Sequence, residues 1–369
     1  MSGTRFLIVN GVLSPSSDTP PVSTVLEAQP GAYTTSRTHN AGLHLLFWER
    51  HLRRLAESAR ILFSSNPNLL FKPEKSKKIP FSSLNAQSSL WDPMIRSLVE
   101  NSMREVIPIA LKERKSGEEL AITTLVSGNL DKLSESEGLD EERLSRVFDL
   151  YVHVGVYVPT VFGITENAMH LAVVGRGRDV ANAKYADWVR LRKALEKLRP
   201  PWASELLLSN DGDRILEGCL TNFFVVCRKD KDEGNYGAEG SDLHDHRSAY
   251  SIEIQTAPIN DGVLPGIIRQ VIIEVCSRNG VPFREVTPLW SKREMWEEAF
   301  TTNSLRLLQH VETICAPRSW ELLEQKSWKG LTWEEKRFKE GPGRITALIQ
   351  QGILEKASLE VYPTTLFTC

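Results

Sequence analysis

Six blocks of the sequence combine side chains that can do chemistry with turns that would hold them in place. In chain order these blocks are 31–37 (GAYTTSR), 49–59 (ERHLRRLAESA), 183–185 (AKY), 214–226 (RILEGCLTNFFVV), 264–270 (LPGIIRQ) and 299–311 (AFTTNSLRLLQHV). A lysine amine can form a Schiff base with an aldehyde. An arginine can grip phosphate through two N–H groups, and a helix that begins after a glycine offers free N–H groups to an anion. No block by itself indicates a function, whereas the order of the six blocks along the chain does.

This ordered series resembles the class IV aminotransferase family, which includes branched-chain aminotransferases, D-amino-acid aminotransferases and aminodeoxychorismate lyase. The resemblance extends over nearly the whole chain, and the blocks EGCLTNFF and LPGIIR are highly specific when they occur together. It implies a mixed α/β chain with the α+β two-domain architecture of fold type IV pyridoxal-phosphate enzymes. The cofactor would lie at the domain interface. The resemblance also implies a homodimer, because family members complete each active site with residues of a second subunit.

The resemblance assigns the central chemistry to two residues, Lys184 and Glu217, which lie 33 positions apart (217 − 184). Lys184 would form the Schiff base with pyridoxal 5'-phosphate and later move a proton, for which its amine must be neutral. Glu217 would bind the pyridine nitrogen and keep it protonated, so that the ring can accept electrons from the substrate.

The resemblance distributes phosphate binding over five further residues. Arg54 would bind the phosphate oxygens through its guanidinium. Gly266 would begin a helix whose first N–H groups, those of Ile267 and Ile268, face the phosphate. Ser304 would add a hydroxyl, although a simple turn serine is an alternative reading of this residue.

The reaction is left open by the sequence. We expect a transaminase that moves an amino group between a small amino acid and a 2-oxo acid. A lyase of the aminodeoxychorismate lyase type is the first alternative, since GAYTTSR and TTNSLR are more similar to the lyase and D-amino-acid branches. A catalytically silent binding protein is the second alternative. It is motivated by Asp187 in KYADW, where the family often has asparagine, and by a polar insertion at 228–250.

Composition argues against several other classes of protein. The chain has 369 residues, of which 41% are hydrophobic and 25% charged, and its net charge of −2 gives no basic footprint for nucleic acid. The five cysteines are scattered without a CxxC, so neither a disulfide framework nor a zinc site is predicted. The pair His244 and His246 lies in the polar insertion, and we expect no metal there. No run of about 18 apolar residues predicts a membrane span. We expect a cytoplasmic protein, with a processed organellar form as the alternative.

Hydrophobic periodicity predicts the elements that must position these residues. Residues 49–63 place Leu52, Leu55, Ala59 and Leu62 on one helical stripe. Asp92 and Pro93 predict the N-cap and first turn of a second helix. Ser291 with Glu294 predicts a capping box. Strict alternation over 148–156 predicts a strand with one buried face. We therefore expect a smaller N-terminal α/β domain over 1–158 and a larger C-terminal domain over 168–369, with a mobile insertion at 228–250.

Overall fold

The computed structural model describes residues 4–15, 19–72, 88–134, 146–228, 252–320 and 328–368. They form two compact units that are discontinuous along the chain. Unit 1 comprises Met1–Thr160, Asn182–Ala194 and Ala357–Cys369, and unit 2 comprises Val161–Ala181 and Leu195–Lys356. The predicted domain limits, 1–158 and 168–369, stay a prediction. The predicted insertion 228–250 lies outside the described residues apart from Arg228.

Unit 1 contains a seven-stranded sheet in which every neighbouring pair is antiparallel, in the order β16-β4-β3-β5-β6-β1-β2. Its strands are β1 (Arg5–Val9), β2 (Val12–Leu13), β3 (Ala32–His39), β4 (His44–Leu46), β5 (Glu119–Gly128), β6 (Phe148–Tyr157) and β16 (Val361–Pro363). The strand predicted over 148–156 agrees with β6, where Leu150, Val152 and Val154 are buried. Alternation thus places one face of this strand in the core.

The helices with described bounds that begin in unit 1 are α1 (Val22–Ala28), α2 (Trp48–Ser65), α3 (Trp91–Glu113), α4 (Leu130–Ser134) and α5 (Asp187–Glu196). The predicted stripe of α2 is buried at all four positions, Leu52, Leu55, Ala59 and Leu62. The predicted cap of α3 was wrong. A 3-10 turn at Ser88–Leu90 leads directly into the helix, so that Asp92 lies in its first turn.

Unit 2 contains a nine-stranded sheet in the order β12-β11-β10-β13-β14-β7-β8-β9, with β15 paired to β14. Its strands are β7 (Met169–Val173), β8 (Glu205–Ser209), β9 (Ile215–Gly218), β10 (Asn222–Arg228), β11 (Ile252–Thr256), β12 (Phe283–Glu285), β13 (Trp296–Asn303), β14 (Leu307–Pro317) and β15 (Trp333–Arg337). Strand β9 also pairs with β10, where Glu217 lies opposite Asn222. Six strands, β7 to β10 with β13 and β14, therefore close into a ring.

Two further helices follow, α6 (Ile267–Arg278) and α7 (Arg344–Leu359). Helix α6 begins two residues after Pro265, and its apolar face buries Ile267, Ile268 and Val271. The capping box predicted at Ser291 was wrong. Ser291 lies inside a 3-10 helix, Trp290–Met295, and its hydroxyl donates to Asp213 at 3.2 Å instead of capping a backbone N–H.

Within the described ranges, no helix has the length and apolar character needed to cross a membrane. Four cysteines are free thiols in this part of the chain: Cys219, Cys227, Cys276 and Cys315. Burial raises the pKa of the Cys276 thiol to about 12, so this thiol stays protonated and unreactive. No cluster of three or more His, Cys, Asp or Glu side chains that could hold a metal occurs among the residues the structure describes.

Acid should destabilise unit 1 through two buried histidines, His51 and His153. Burial lowers the pKa of both rings below the ordinary value of 6.5. The unfolded chain therefore binds protons that the folded chain does not, and the free energy of unfolding should fall as the pH drops below about 6.5. Each ring contributes at most about 1.4 kcal/mol per pH unit. The pKa values of the Asp149 and Asp211 carboxyl groups are lowered from 3.8. These groups therefore change the free energy of unfolding only in more acidic solution.

Urea unfolding at pH 7.5 and pH 5.5, at fixed ionic strength, measures this effect. The double variant His51→Gln/His153→Gln should lose part of the pH dependence, because a glutamine does not titrate. An unfolding free energy of the parent that is equal at the two pH values would contradict the prediction.

Candidate active site

Lys184 is held against the edge of strand β3 by backbone hydrogen bonds. Tyr33 N–H donates to the Lys184 carbonyl at 2.9 Å, and Ala186 N–H donates to the Gly31 carbonyl at 2.8 Å. The Lys184 N–H donates to the hydroxyl of Ser58 on helix α2 at 3.1 Å. These contacts join three segments of unit 1 and fix the backbone from which the lysine side chain extends.

The Lys184 side chain lies over an aromatic ring. Its Nζ is 4.6 Å from the centroid of the Tyr33 ring, within the range of a cation–π interaction. Residues 31–37 thus supply both the backbone partners of the lysine and the ring beneath its amine, which explains physically why the GAYTTSR block and the AKY block belong together.

Arg54 is linked to a buried histidine through one hydroxyl. Arg54 Nη2 donates to Thr34 Oγ1 at 2.8 Å, and Thr34 Oγ1 lies 2.8 Å from His51 Nδ1. Burial holds the pKa of His51 well below 6.5, and the charges of Arg54 and Lys184 lower it further. The ring is therefore neutral, and a hydrogen bond joins its Nδ1 to the Thr34 hydroxyl. Two cations beside a neutral histidine make this part of unit 1 suitable for an anion. Arg53, on another face of α2, is exposed.

Glu217 lies in the core of unit 2 with 2% of its surface exposed. Arg178 donates to its Oε1 from Nε at 2.9 Å and from Nη2 at 2.5 Å. Its Oε2 accepts from the Asn222 side-chain amide at 3.2 Å and from Leu264 N–H at 3.0 Å. A buried carboxylate with an arginine and two neutral donors is stabilised in its charged form.

Gly266 begins helix α6 beside this carboxylate. The first hydrogen bond of the helix runs from Gln270 N–H to the Gly266 carbonyl at 3.0 Å, so the N–H groups of Ile267 and Ile268 precede it. A Cβ on Gly266 would lie 2.0 Å from Oδ1 of Asn222. Asn222 therefore requires a glycine at this position.

Ser304 is half-buried in the turn between β13 and β14. Asn303 Oδ1 accepts from Leu305 N–H at 3.1 Å and from Arg306 N–H at 2.9 Å, so the turn is held by its asparagine rather than by the serine. Direct hydrogen bonds bring Glu217 together with the Gly266 turn in unit 2. In unit 1, Lys184 and Arg54 act on the same histidine. Ser304 shares no such direct bond with either group.

Four residues that support these groups were not predicted from the sequence: Thr34, His51, Asn222 and Arg178. The first three lie inside the motif blocks, so polar side chains within a motif are the signal that could have found them. Arg178 carries no motif signal, because its partner Glu217 is 39 positions away.

Asp187, the departure from the family pattern, has a local role in the structure. It occupies the first turn of helix α5, where negative charge is favoured. Its carboxylate pairs with Arg190 Nη2 at 2.5 Å.

Comparison with known proteins identifies the family. The sequence model described as amino-transferase class IV matches residues 31–314. The branched-chain aminotransferase of Thermoproteus uzoniensis, solved with norvaline, is 17% identical, with a TM-score of 0.57 over 98% of this chain and 100% of that chain. The Escherichia coli branched-chain aminotransferase is 16% identical, with a TM-score of 0.56 over 95% and 94% of the two chains. The Thermobaculum terrenum branched-chain aminotransferase, in its pyridoxal-phosphate form, is 13% identical, with a TM-score of 0.58 over 99% of both.

No significant match is found among the sequences of curated proteins. The predicted α+β two-domain, fold type IV architecture is confirmed by the structural matches. Since the family model covers most of the chain, this protein belongs to the class IV aminotransferases, enzymes that use pyridoxal phosphate.

The residues present fit that cofactor chemically. A buried, charged Glu217 suits a protonated ring nitrogen, and the first turn of α6 offers N–H groups to a phosphate. Arg54 and Lys184 supply the positive charge and the amine. The individual roles of Lys184, Arg54, Glu217, Gly266, Ile267, Ile268 and Ser304 stay predictions.

Thr34→Val should weaken binding of pyridoxal phosphate, because Arg54 and His51 lose the hydroxyl that links them. Loss of a hydrogen bond to a charged group corresponds to about 1.5–3 kcal/mol, or roughly ten- to hundredfold in the dissociation constant. Equilibrium dialysis of the apoprotein measures it. Thr34→Ser keeps the hydroxyl and should bind like the parent. Equal affinity of the valine and serine variants would contradict this role.

Proposed function

We propose that this protein is a pyridoxal-phosphate-dependent transaminase that moves an amino group between a small amino acid and a 2-oxo acid. The observation that carries the proposal is the direct connection of Glu217 to the turn that begins helix α6, through Leu264 N–H and Asn222. A carboxylate for the ring nitrogen and N–H groups for the phosphate are thereby held together in one hydrogen-bonded assembly.

Each residue then has a defined task. When bound, pyridoxal phosphate supplies an aldehyde that condenses with an amine and a ring that withdraws electrons from the substrate Cα. Lys184 holds the cofactor as its Schiff-base lysine, and its amine moves the proton of the substrate Cα. Arg178 keeps Glu217 charged, and Glu217 favours a proton on the neighbouring ring nitrogen. Arg54 binds phosphate oxygens.

Quaternary structure and location belong to the same proposal. We propose a homodimer in the cytoplasm that takes amino acids and 2-oxo acids as substrates. Sedimentation at micromolar concentration tests the dimer, and an active monomer would remove it.

The pair Lys184 and Glu217 gives the sharpest test. Lys184→Ala should lose the visible absorbance of lysine-linked cofactor and all turnover, yet keep some cofactor through Arg54 and the α6 turn. Glu217→Gln should keep the covalent link but slow the half-reaction. One lost charge-assisted hydrogen bond, about 1.5–3 kcal/mol, corresponds to roughly one to two decades in rate.

The measurement is stopped-flow half-transamination with a panel of D- and L-amino acids. Glu253→Gln is the matched control, because Glu253 is also buried and accepts from Arg284 Nε at 2.9 Å and Nη2 at 2.5 Å. If Glu217→Gln reacts as fast as Glu253→Gln, Glu217 is not the partner of the ring nitrogen. Elimination of a substrate group without transfer of the amino group would favour the lyase instead.

A further inference from the structure

Glu205, at the start of strand β8, is another buried carboxylate of unit 2, with 4% of its surface exposed. Its Oε1 accepts from Leu220 N–H at 2.8 Å and from the Thr221 hydroxyl at 2.9 Å. Its Oε2 accepts from Arg306 Nη2 at 3.1 Å. The Glu205 carboxylate thus bonds to two turns, the one between β9 and β10 and the one between β13 and β14.

The first of these turns directly follows Glu217. Gly218 N–H donates to the Thr221 carbonyl at 2.8 Å, which closes the turn between β9 and β10. A Cβ on Gly218 would lie 2.4 Å from Oε1 of Glu205 and 2.3 Å from Oγ1 of Thr221. The backbone next to Glu217 therefore passes directly against the Glu205 carboxylate, which fixes its position.

The second turn carries Ser304. It ends at Leu307, whose φ of 62° lies in the left-handed region, a conformation that a leucine adopts only where its surroundings enforce it. Asn303 holds the backbone of the turn, and the Arg306 side chain extends from the turn to Glu205 and to Sδ of Met169 at 3.7 Å.

We propose that the Glu205–Arg306 pair is a positioning pair that sets the Ser304 turn relative to the Glu217 turn for cofactor binding. This rests on the proposed function, since Ser304 and Glu217 receive their cofactor roles there. Neither member of the pair needs to touch the cofactor. Arg306 acts on the phosphate side alone, through the Ser304 turn. Glu205 acts on both sides, because it also holds Leu220 and Thr221.

This division predicts a measurable asymmetry between pyridoxal phosphate and pyridoxal, which lacks the phosphate. Arg306→Met should weaken binding of pyridoxal phosphate by about tenfold, the scale of one lost charge-assisted hydrogen bond, and should change pyridoxal binding much less. Arg306→Lys, which keeps the charge, should recover part of the loss. Glu205→Gln should weaken binding of both compounds.

A purely structural ion pair would give a different pattern, which the double variant Glu205→Gln/Arg306→Met distinguishes. The double variant leaves no buried charge without a partner, so its unfolding midpoint should recover towards that of the parent. If the pair positions the turns, affinity for pyridoxal phosphate stays low in the double variant. The matched control is Arg293→Met, because the Arg293 side chain is about as exposed as that of Arg306 and also pairs with a glutamate, Glu334, at 3.1 Å. This variant should leave cofactor affinity unchanged.

The measurements are dissociation constants of apoprotein with pyridoxal phosphate and pyridoxal, the phosphorus NMR shift of the bound cofactor, and the unfolding midpoint of the apoprotein. Affinity that recovers together with stability in the double variant would overturn the positioning role. So would Arg306→Met binding like Arg293→Met. A parent that binds no pyridoxal phosphate would overturn the proposed function, and this proposal with it.

Discussion

The buried charge of Glu217 is the constraint on which the arrangement of unit 2 depends. An isolated buried carboxylate is destabilising by several kcal/mol, so it must be given partners by the surrounding chain. Here the partners come from three segments: Arg178 after β7, Asn222 on the adjacent strand β10 and Leu264 before α6. Glu217 and Asn222 are also the residues that pair β9 with β10. The contact between Glu217 and Asn222 therefore both closes the strand ring and helps to stabilise the buried charge of Glu217.

In unit 1 the charged groups of the candidate site are cations rather than a carboxylate. Lys184 and Arg54 both act on His51, whose pKa is lowered by burial first and by these two charges next. A neutral histidine avoids a third positive charge, and the Thr34 hydroxyl accepts from the guanidinium and is hydrogen-bonded to the ring. Through these contacts two cations lie beside a neutral histidine, an environment that attracts an anion. Glu217 in unit 2 is the reverse case, an anion held by a cation.

The sequence predicted those parts of the fold and site that are local. The α2 stripe, strand β6 and the helix after Gly266 follow from periodicity and from glycine and proline positions, which each segment carries within itself. Lys184 and Glu217 came from the order of motif blocks. Arg178 and Glu205 were missed because their importance lies in contacts between distant positions, which no local pattern encodes, whereas the signal for Thr34 lay within the GAYTTSR block. The cap predicted at Asp92 was wrong because a 3-10 turn at Ser88–Leu90 starts the helix earlier. The capping box predicted at Ser291 was wrong because the backbone N–H and the hydroxyl of Ser291 both donate to Asp213.

Asp187 shows how a departure from a family motif can have a local cause. An aspartate so close to the lysine suggested altered chemistry, and with it a silent protein. In the structure Asp187 begins helix α5, where the free N–H groups favour a carboxylate, and Arg190 takes up its charge three residues later. A helix start is sufficient reason for the substitution. The hypothesis of a silent protein is then left with the insertion as its motive, while Arg178, Asn222 and Leu264 provide the partners that a buried, charged Glu217 needs.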